Sequence, residues 1–202
     1  TGLSNYELSE EERRALKLLE DSKVEFAERP ITDIFDIKNT QSILSKDVNF
    51  VELGKPYVTA GAENNSIAGY VEYDEKFIDK GNCVFIGGKT FVVTYQSEDF
   101  YSNDSHNLAL YNKNSKCVNR LNQLYLVTCV QKSLQHQYSW GDSVSNKKIS
   151  DDFITVPINQ GEIDYHHMNL LISAVQKLVI KDVVLYVRQK VNSTKSIIGK
   201  SE

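Results

Sequence analysis

The chain has 202 residues, of which 41% are hydrophobic and 10% aromatic, so it can bury the core of one substantial domain. The formal net charge is −4 and no basic block dominates, which disfavours a non-specific polyanion-binding protein. No apolar run approaches the roughly 18 residues of a membrane span, so no membrane partner is expected.

Cysteine usage and the N-terminus indicate the expected compartment. Cys83, Cys117 and Cys129 form an odd set without C-x-x-C spacing, which disfavours a disulfide framework and a zinc cluster. The stretch TGLSNYELSEEERRALK lacks the apolar centre of a signal peptide. We therefore expect a cytoplasmic protein with no metal and no cofactor in this chain.

The first 30 residues are predicted to form a helical preamble. Ser9 and Glu12 have the spacing of a capping box, and Ala15, Leu16 and Leu19 then supply an apolar face. The pattern predicts a short helix that ends near Ser22.

Residues 31–160 change to short β-rich runs separated by Gly, Asn, Asp and Ser. The candidate strands are Thr32–Ile37, Tyr57–Thr59, Gly69–Tyr73, Cys83–Ile86, Phe91–Gln96 and Ala109–Tyr111. Leu121–Ser133 has the apolar spacing of a helix. The predicted fold class is α+β, with a mostly antiparallel, β-rich domain.

Residues 161–198 are predicted to form a long C-terminal helix. It has an apolar stripe with intervals of three and four, made of Met168, Leu171, Ile172, Val175, Leu178, Val179, Val183 and Tyr186. The helix could run for about 28 residues, or roughly 40 Å. Its stripe needs a partner, either its own domain or a coiled-coil helix.

One stretch has the ending of a nucleotide-binding P-loop, Gly88-Lys89-Thr90. A P-loop needs a glycine five residues before Gly88, but that position is Cys83. It also needs a helix after the lysine, whereas TFVVTYQ is β-branched and aromatic. The stretch is therefore predicted to be a turn between two strands.

A metal-dependent nuclease is one alternative function. Asp36 and Lys38 have the acid-x-lysine pattern of such enzymes, and Asp33 could be a third contributor to the site. The isolated chain would then cleave nucleic acid with magnesium.

The stretch GKPYVTAGAENNSIAGYVEY, residues 54–73, is rich in loop-forming residues. Asparagine amides can read the N6/N7 edge of adenine, but Asn64 and Asn65 could equally form a turn with left-handed backbone. Elsewhere, lysines are candidates to hold phosphates and aromatic residues to pack on sugars or bases. These further candidates are Lys55, Lys89, Lys147, Lys148, Tyr57, Tyr138 and Trp140.

Several segments in order resemble the target recognition domain of specificity subunits in prokaryotic type I restriction–modification systems, and of related type IIG and BcgI-like enzymes. They are ITDIFDIKNTQSI, GKPYVTAGAENNSIAGYV, KGNCVFIGG, VVTYQSEDFYSND, HNLAL, YSWGDSVSNKKISDDFITVPI and GEIDYHHMNLLISAVQKLVI. The similarity covers about residues 30–180. It departs at Ser66, where the family usually has glycine, and at Asp142, where an arginine is frequent.

The resemblance implies a non-catalytic subunit that reads half of a split site in double-stranded DNA. The long helix would be a spacer and a docking surface for an adenine methyltransferase subunit, with an endonuclease subunit or a second copy as further partners. The implied DNA-binding residues are Lys55, Thr59, Glu63, Asn64, Asn65, Lys89, Thr90, Ser139, Trp140, Lys147 and Lys148. A second alternative is a helix-mediated protein-interaction module without DNA binding.

Overall fold

The computed structural model describes residues 6–198, and the chain divides into two compact units. One unit contains Thr1–Val24 and His166–Glu202, and the other contains Glu25–Tyr165. We call them the helical unit and the sheet unit. The division into a preamble, a recognition domain and a spacer helix remains a prediction about function.

The helical unit begins with α1 (Glu10–Glu20), and its capping box is confirmed. Ser9 Oγ accepts a hydrogen bond from Glu12 N at 3.2 Å, while Glu12 Oε2 accepts one from Ser9 N at 2.7 Å. These two bonds satisfy backbone donors that the first turn of a helix leaves free.

The long helix, α5 (Tyr165–Ile198), has 34 residues and would span roughly 50 Å. The prediction of a long C-terminal helix is confirmed, and the helix is longer than predicted. Glu12 connects α1 to it, because its carboxylate accepts hydrogen bonds from Ser173 Oγ at 2.6 Å and Lys177 Nζ at 2.8 Å. Among residues 6–198, no helix is long and apolar enough to cross a membrane.

The stripe of α5 is buried at its start and exposed further on. Met168 and Leu171 are buried, whereas Val179 is 71% exposed and Val183 62% exposed. Val175, Leu178 and Tyr186 are also exposed. The described structure therefore leaves the second half of the apolar stripe, from Val175 to Tyr186, uncovered.

The sheet unit contains eleven strands and three further helices. The strands are β1 (Glu25–Pro30), β2 (Phe35–Asn39), β3 (Phe50–Val51), β4 (Lys55–Val58), β5 (Ile67–Val71), β6 (Cys83–Ile86), β7 (Val93–Gln96), β8 (Tyr101–Ser102), β9 (Leu108–Asn112), β10 (Phe153–Asn159) and β11 (Glu162–Ile163). The helices are α2 (Ile31–Ile34), α3 (Arg120–Leu134) and α4 (Asn146–Ile149).

These strands form three sheets, in the orders β1-β10-β11, β2-β9-β6-β7 and β3-β5-β4-β8. All described strand pairs are antiparallel except β4 with β8, which is parallel. The predicted α+β class with mostly antiparallel sheets is therefore confirmed.

The core of the sheet unit lies between the two four-stranded sheets. Val58 of β4 packs in one buried cluster with Phe85 of β6, Ala109 of β9 and Phe100. The rings of Phe85 and Phe100 meet edge to face, with centroids 5.9 Å apart. Burying an aromatic side chain of this size contributes about 2–3 kcal/mol, so this cluster fixes how the two sheets face each other.

Two predicted strands start earlier in the chain than the observed strands. The predicted strand Thr32–Ile37 is wrong in its first half, because Ile31–Ile34 forms the single turn α2. The strand predicted over Phe91–Gln96 is observed as β7 (Val93–Gln96), which begins two residues later. Phe91 has a φ of 53°, so its backbone cannot be part of a strand. Both errors arise where a β-favouring side chain occupies a bend of the backbone.

Candidate nucleic-acid interface

The strand registers bring several connections to one end of the β2-β9-β6-β7 sheet. Ile86, the last residue of β6, lies opposite Leu108, the first of β9, and Leu108 lies opposite Asn39, the last of β2. The β6–β7 turn, the segment before β9 and the segment after β2 therefore meet. We define the loop end as residues 59–66, 87–92, 103–107 and 138–142.

The stretch Gly87–Thr90 is the turn between β6 and β7, as predicted. Gly87 N donates to Val92 O, and Phe91 N donates to Gly87 O, both at 2.9 Å. The turn is followed by the strand β7, whereas a P-loop would be followed by a helix. The stretch is therefore not a P-loop. Gly88 is needed here, because a Cβ on it would lie 2.3 Å from the carbonyl oxygen of His106.

This turn is tied to the two neighbouring loops. Gly88 N donates to Asn107 Oδ1 at 3.0 Å, and Thr90 Oγ1 donates to Ala60 O at 2.7 Å. Lys89 Nζ lies 3.3 Å from Asp104 Oδ2. The structure thus brings the candidates Lys89 and Thr90 next to the loop that follows β4.

Asp104 organises the segment before β9, and sequence reasoning missed it. Its carboxylate accepts a hydrogen bond from His106 N at 2.9 Å and lies 2.7 Å from His106 Nδ1. Burial raises the pKa of Asp104, but hydrogen bonds from His106 and Lys89 outweigh burial and hold it below its ordinary value. The run Asn-Asp-Ser-His-Asn was the available signal, since such residues favour turns.

An aromatic stack connects residues 138–142 to the β6–β7 turn. The rings of Tyr138 and Phe91 are stacked, with centroids 5.0 Å apart and an interplanar angle of 24°. Ser139 and Asp142 exchange two backbone hydrogen bonds at 3.1 and 3.2 Å, which closes a tight turn. Trp140 lies on this turn and is 79% exposed. An exposed aromatic side chain therefore stands on a turn that two backbone hydrogen bonds and a ring stack hold in place.

Both tyrosines that were expected to pack on sugars or bases are buried instead. Tyr57 is 1% exposed and its hydroxyl donates to Ile43 O at 2.6 Å. Tyr138 is buried by its stack, and its hydroxyl donates to Asp152 Oδ2 at 2.5 Å. The expectation for these two side chains is wrong, because each supports the core rather than a surface.

Helix α4 carries the lysine pair and packs against β2. Asn146 Nδ2 donates to Ile37 O at 3.1 Å, which holds α4 on the outer edge of that strand. Lys147 is exposed. Lys148 forms an ion pair with Asp142 and donates to Ser143 O at 3.2 Å, so it also bridges α4 to the turn that carries Trp140.

The asparagine pair has the left-handed backbone that its composition favours. The φ angles of Asn64, Asn65 and Ser66 are 47°, 55° and 66°. Asn64 Nδ2 donates to Ile67 O at 3.0 Å, and Asn65 Nδ2 donates to Tyr95 O at 2.9 Å. The amide of Asn65 therefore covers the outer edge of β7 and keeps only its second N–H and its Oδ1 for another partner. The reading of a base by this pair remains a prediction.

The remaining candidates fall in two places. Thr59 and Glu63 lie in the same loop as the asparagines, and the backbone of each bonds to Ser66, at 2.8 and 2.9 Å respectively. Lys55 is the first residue of β4 and Thr59 follows its last, so Lys55 lies roughly 13 Å from the loop end along the strand. Among the eleven predicted DNA-binding residues, Lys55 is the one that the fold separates from the others.

The residues of the alternative nuclease site do not form a metal-binding group. Asp33 and Asp36 are exposed, and Asp36 Oδ1 lies 3.8 Å from Lys113 Nζ. Between residues 6 and 198, no three histidine, cysteine or acidic side chains are grouped so that they could hold a metal ion.

In this chain a β-rich unit with hydrogen-bonded polar loops at one end precedes a long helix. The family described as the type I restriction modification DNA specificity domain matches residues 23–195. The chain belongs to this family, which confirms the resemblance seen in its sequence.

The chain spans about half the length of the relatives that it matches. The specificity subunit S.BcgI of a type II restriction enzyme from Heyndrickxia coagulans is 23% identical over 147 residues, covering 72% of this chain and 42% of that protein. The type I S subunit of M. genitalium (TM-score 0.53) and the HsdS subunit of Thermoanaerobacter tengcongensis (TM-score 0.52) are each 14% identical. These matches cover 92% and 90% of this chain, and 49% and 46% of those chains. At this identity the two structures show a shared fold.

Proposed function

We propose that the chain reads half of a split double-stranded DNA site and directs a methyltransferase and an endonuclease to it. The observation that carries this proposal is the loop end, where four connections are braced together and present polar and aromatic side chains. Rigid placement of this kind is what specific recognition needs, because each well-aligned bidentate base contact contributes about 1–3 kcal/mol of discrimination.

The loop end offers different chemistry at its two sides. The turn at residues 138–142 presents Trp140, which can stack on a base or a sugar. The loop at residues 59–66 presents Glu63 and Asn64, which can accept from cytosine N4 or pair with adenine. We propose that these two sides contact neighbouring parts of one groove. The sequence read depends on these loops.

The exposed stripe of α5 is proposed as the protein-docking surface. Leu178, Val179, Val183 and Tyr186 are exposed on one helix, and a coiled-coil partner would cover such a stripe. We propose a helix of an adenine methyltransferase subunit, or α5 of a second copy, as that partner. A second copy would supply the recognition surface for the other half of a split site. Catalysis would then belong to the partner subunits.

DNA reading is tested by selection from a library of randomised duplexes with the purified chain at low salt, followed by sequencing of the bound fraction. We expect one short sequence to be enriched. Asn64→Asp keeps the size and the acceptor of the side chain but removes its amide donor, so it should change the enriched sequence. Trp140→Ala should weaken binding to all duplexes. If the wild type enriches no sequence, the proposal of DNA reading is refuted, and the alternative of a protein-interaction module without DNA binding stands.

Docking by α5 is tested with substitutions on exposed positions, since these leave the packing of α1 intact. Val179→Glu with Val183→Glu should abolish self-association or methyltransferase binding, because two charges would be buried in the contact. Lys181→Glu lies on the same stretch outside the stripe and serves as the control. Unchanged association in the double variant, measured by sedimentation, would refute docking through this stripe.

A further inference from the structure

We propose that Lys38 and Lys147 form a phosphate-binding ridge beside the loop end, whereas Lys89 and Lys148 brace the loops. We call Lys38 and Lys147 the β2 ridge. This inference rests on the proposed DNA function and adds to it: it separates the lysines that hold the DNA backbone from those that shape the reading surface.

Lys89 and Lys148 already have carboxylate partners within the loop end. Lys89 is 3.3 Å from Asp104, and Lys148 is in contact with Asp142. Each pair cancels its own charge, so neither lysine brings a net positive charge to a DNA phosphate. Their contacts instead hold the segments at residues 103–107 and 138–142 in place.

Lys38 is placed to meet a phosphate. It is exposed on β2, the outer strand of its sheet, and its Nζ lies 5.5 Å from the centroid of the Tyr111 ring. The next residue, Asn39, donates from Nδ2 to Ser105 O at 2.8 Å, which places this end of β2 directly against the loop end. Within residues 6–198, Lys38 has no ion pair with a carboxylate.

Helix α4 adds Lys147 to the same strand edge. The bond from Asn146 to Ile37 O anchors α4 one residue before Lys38. Lys147 follows Asn146, is exposed, and like Lys38 has no carboxylate partner in the described part of the chain. The two unpaired cations therefore border the β2 edge of the loop end, and α4 also contacts the turn that carries Trp140. Such cations fix the register of a protein on DNA without reading its sequence.

The test is the salt dependence of binding to the enriched duplex and to a scrambled duplex of the same composition. Each lysine that neutralises a phosphate contributes about 0.9 to the slope of log affinity against log salt. The wild type loses affinity by a certain factor when the salt rises from about 50 to 200 mM. In Lys38→Ala and in Lys147→Ala this factor should be about 3.5-fold smaller, because each variant has lost one phosphate contact. The preference for the enriched duplex should stay the same. Lys116→Ala is the matched control: it is exposed and lies beyond the far end of β9.

The outcomes separate the two proposals. If the wild type prefers the enriched duplex but the Lys38→Ala/Lys147→Ala variant keeps its salt slope, the ridge is refuted and the DNA function stands. If Lys89→Ala and Lys148→Ala lower the salt slope and the ridge variants do not, then Lys89 and Lys148 hold the phosphates. That result would also refute the ridge. If the wild type does not distinguish the duplexes, both proposals fall. Unfolding in urea shows whether each variant is folded.

Discussion

The buried ion pair between α1 and α5 supports a prediction about stability. The side chain of Glu12 is 5% exposed and that of Lys177 is 21% exposed, with 2.8 Å between Nζ and Oε2. Burial alone would raise the pKa of Glu12, but hydrogen bonds from Lys177, Ser173 and Ser9 lower it to about 2 from 4.5. We predict that Glu12→Gln destabilises the chain.

The size of this effect follows from the pKa. Lowering the pKa of Glu12 from 4.5 to about 2 corresponds to about 3 kcal/mol in favour of the charged form in the folded state. Because the folded pKa is lowered, this stabilisation is complete above pH 4.5 and disappears as the pH falls towards 2. Glutamine can still accept from Ser9, so we expect a loss of about 2–3 kcal/mol at pH 7, mainly from leaving Lys177 unpaired.

The assay is urea unfolding followed by circular dichroism at several pH values. A double-mutant cycle with Lys177→Met isolates the pair, because the double variant removes both charges. Ser9→Ala is the control, and should cost about 1 kcal/mol through the lost cap at any of these pH values. A coupling energy below about 0.5 kcal/mol, or one that does not change between pH 7 and pH 3, would show that the ion pair does not stabilise the helical unit.

Three further predictions follow from described contacts. Burial raises the pKa of Asp79 from 3.8 to about 6, so its charge costs stability as the pH rises through this range. Asp79→Asn keeps an acceptor for Gln41 N and should stabilise the chain at pH 7 by about 2 kcal/mol, but not at pH 4, in urea unfolding. Asn65→Ala should lower the free energy of unfolding by about 2 kcal/mol, and Asn65→Gly by about 1 kcal/mol. The difference is expected because glycine adopts a φ of 55° without strain. Equal losses in the two variants would contradict this prediction. Val179→Glu alone should leave the urea midpoint unchanged, because the side chain is exposed; a large loss would mean that it is buried within the chain.

Periodicity predicted the regular elements of this fold well. The predicted strand Cys83–Ile86 coincides with β6, and Leu121–Ser133 lies within α3. β6 is a continuous run of buried apolar side chains, and α3 has apolar side chains at helical intervals. β1 was not recognised, because Glu-Phe-Ala-Glu-Arg-Pro has few β-favouring residues and is held by pairing with β10, more than 120 positions away in the chain. Such a long-range partner leaves no local signal.

The candidate site was predictable in its residues but not in their roles. The GGKT turn and the asparagine loop were recognised from turn chemistry, and both are where the sequence indicated. The partners of their side chains depend on contacts between loops, such as Lys89 with Asp104 or Asn65 with Tyr95. Sequence spacing carries no information about these contacts.

The division of the chain also bears on how new specificities arise. The sheet unit is one continuous stretch, Glu25–Tyr165, flanked on both sides by parts of the helical unit. Its first residue, Glu25, pairs with Ile158 near its last, so the stretch begins and ends close together. A recombination event that replaced this stretch would bring a new set of loops and leave Glu12 bonded to Lys177. The stretch that carries the loops and the contact between Glu12 and Lys177 therefore belong to separate parts of the chain.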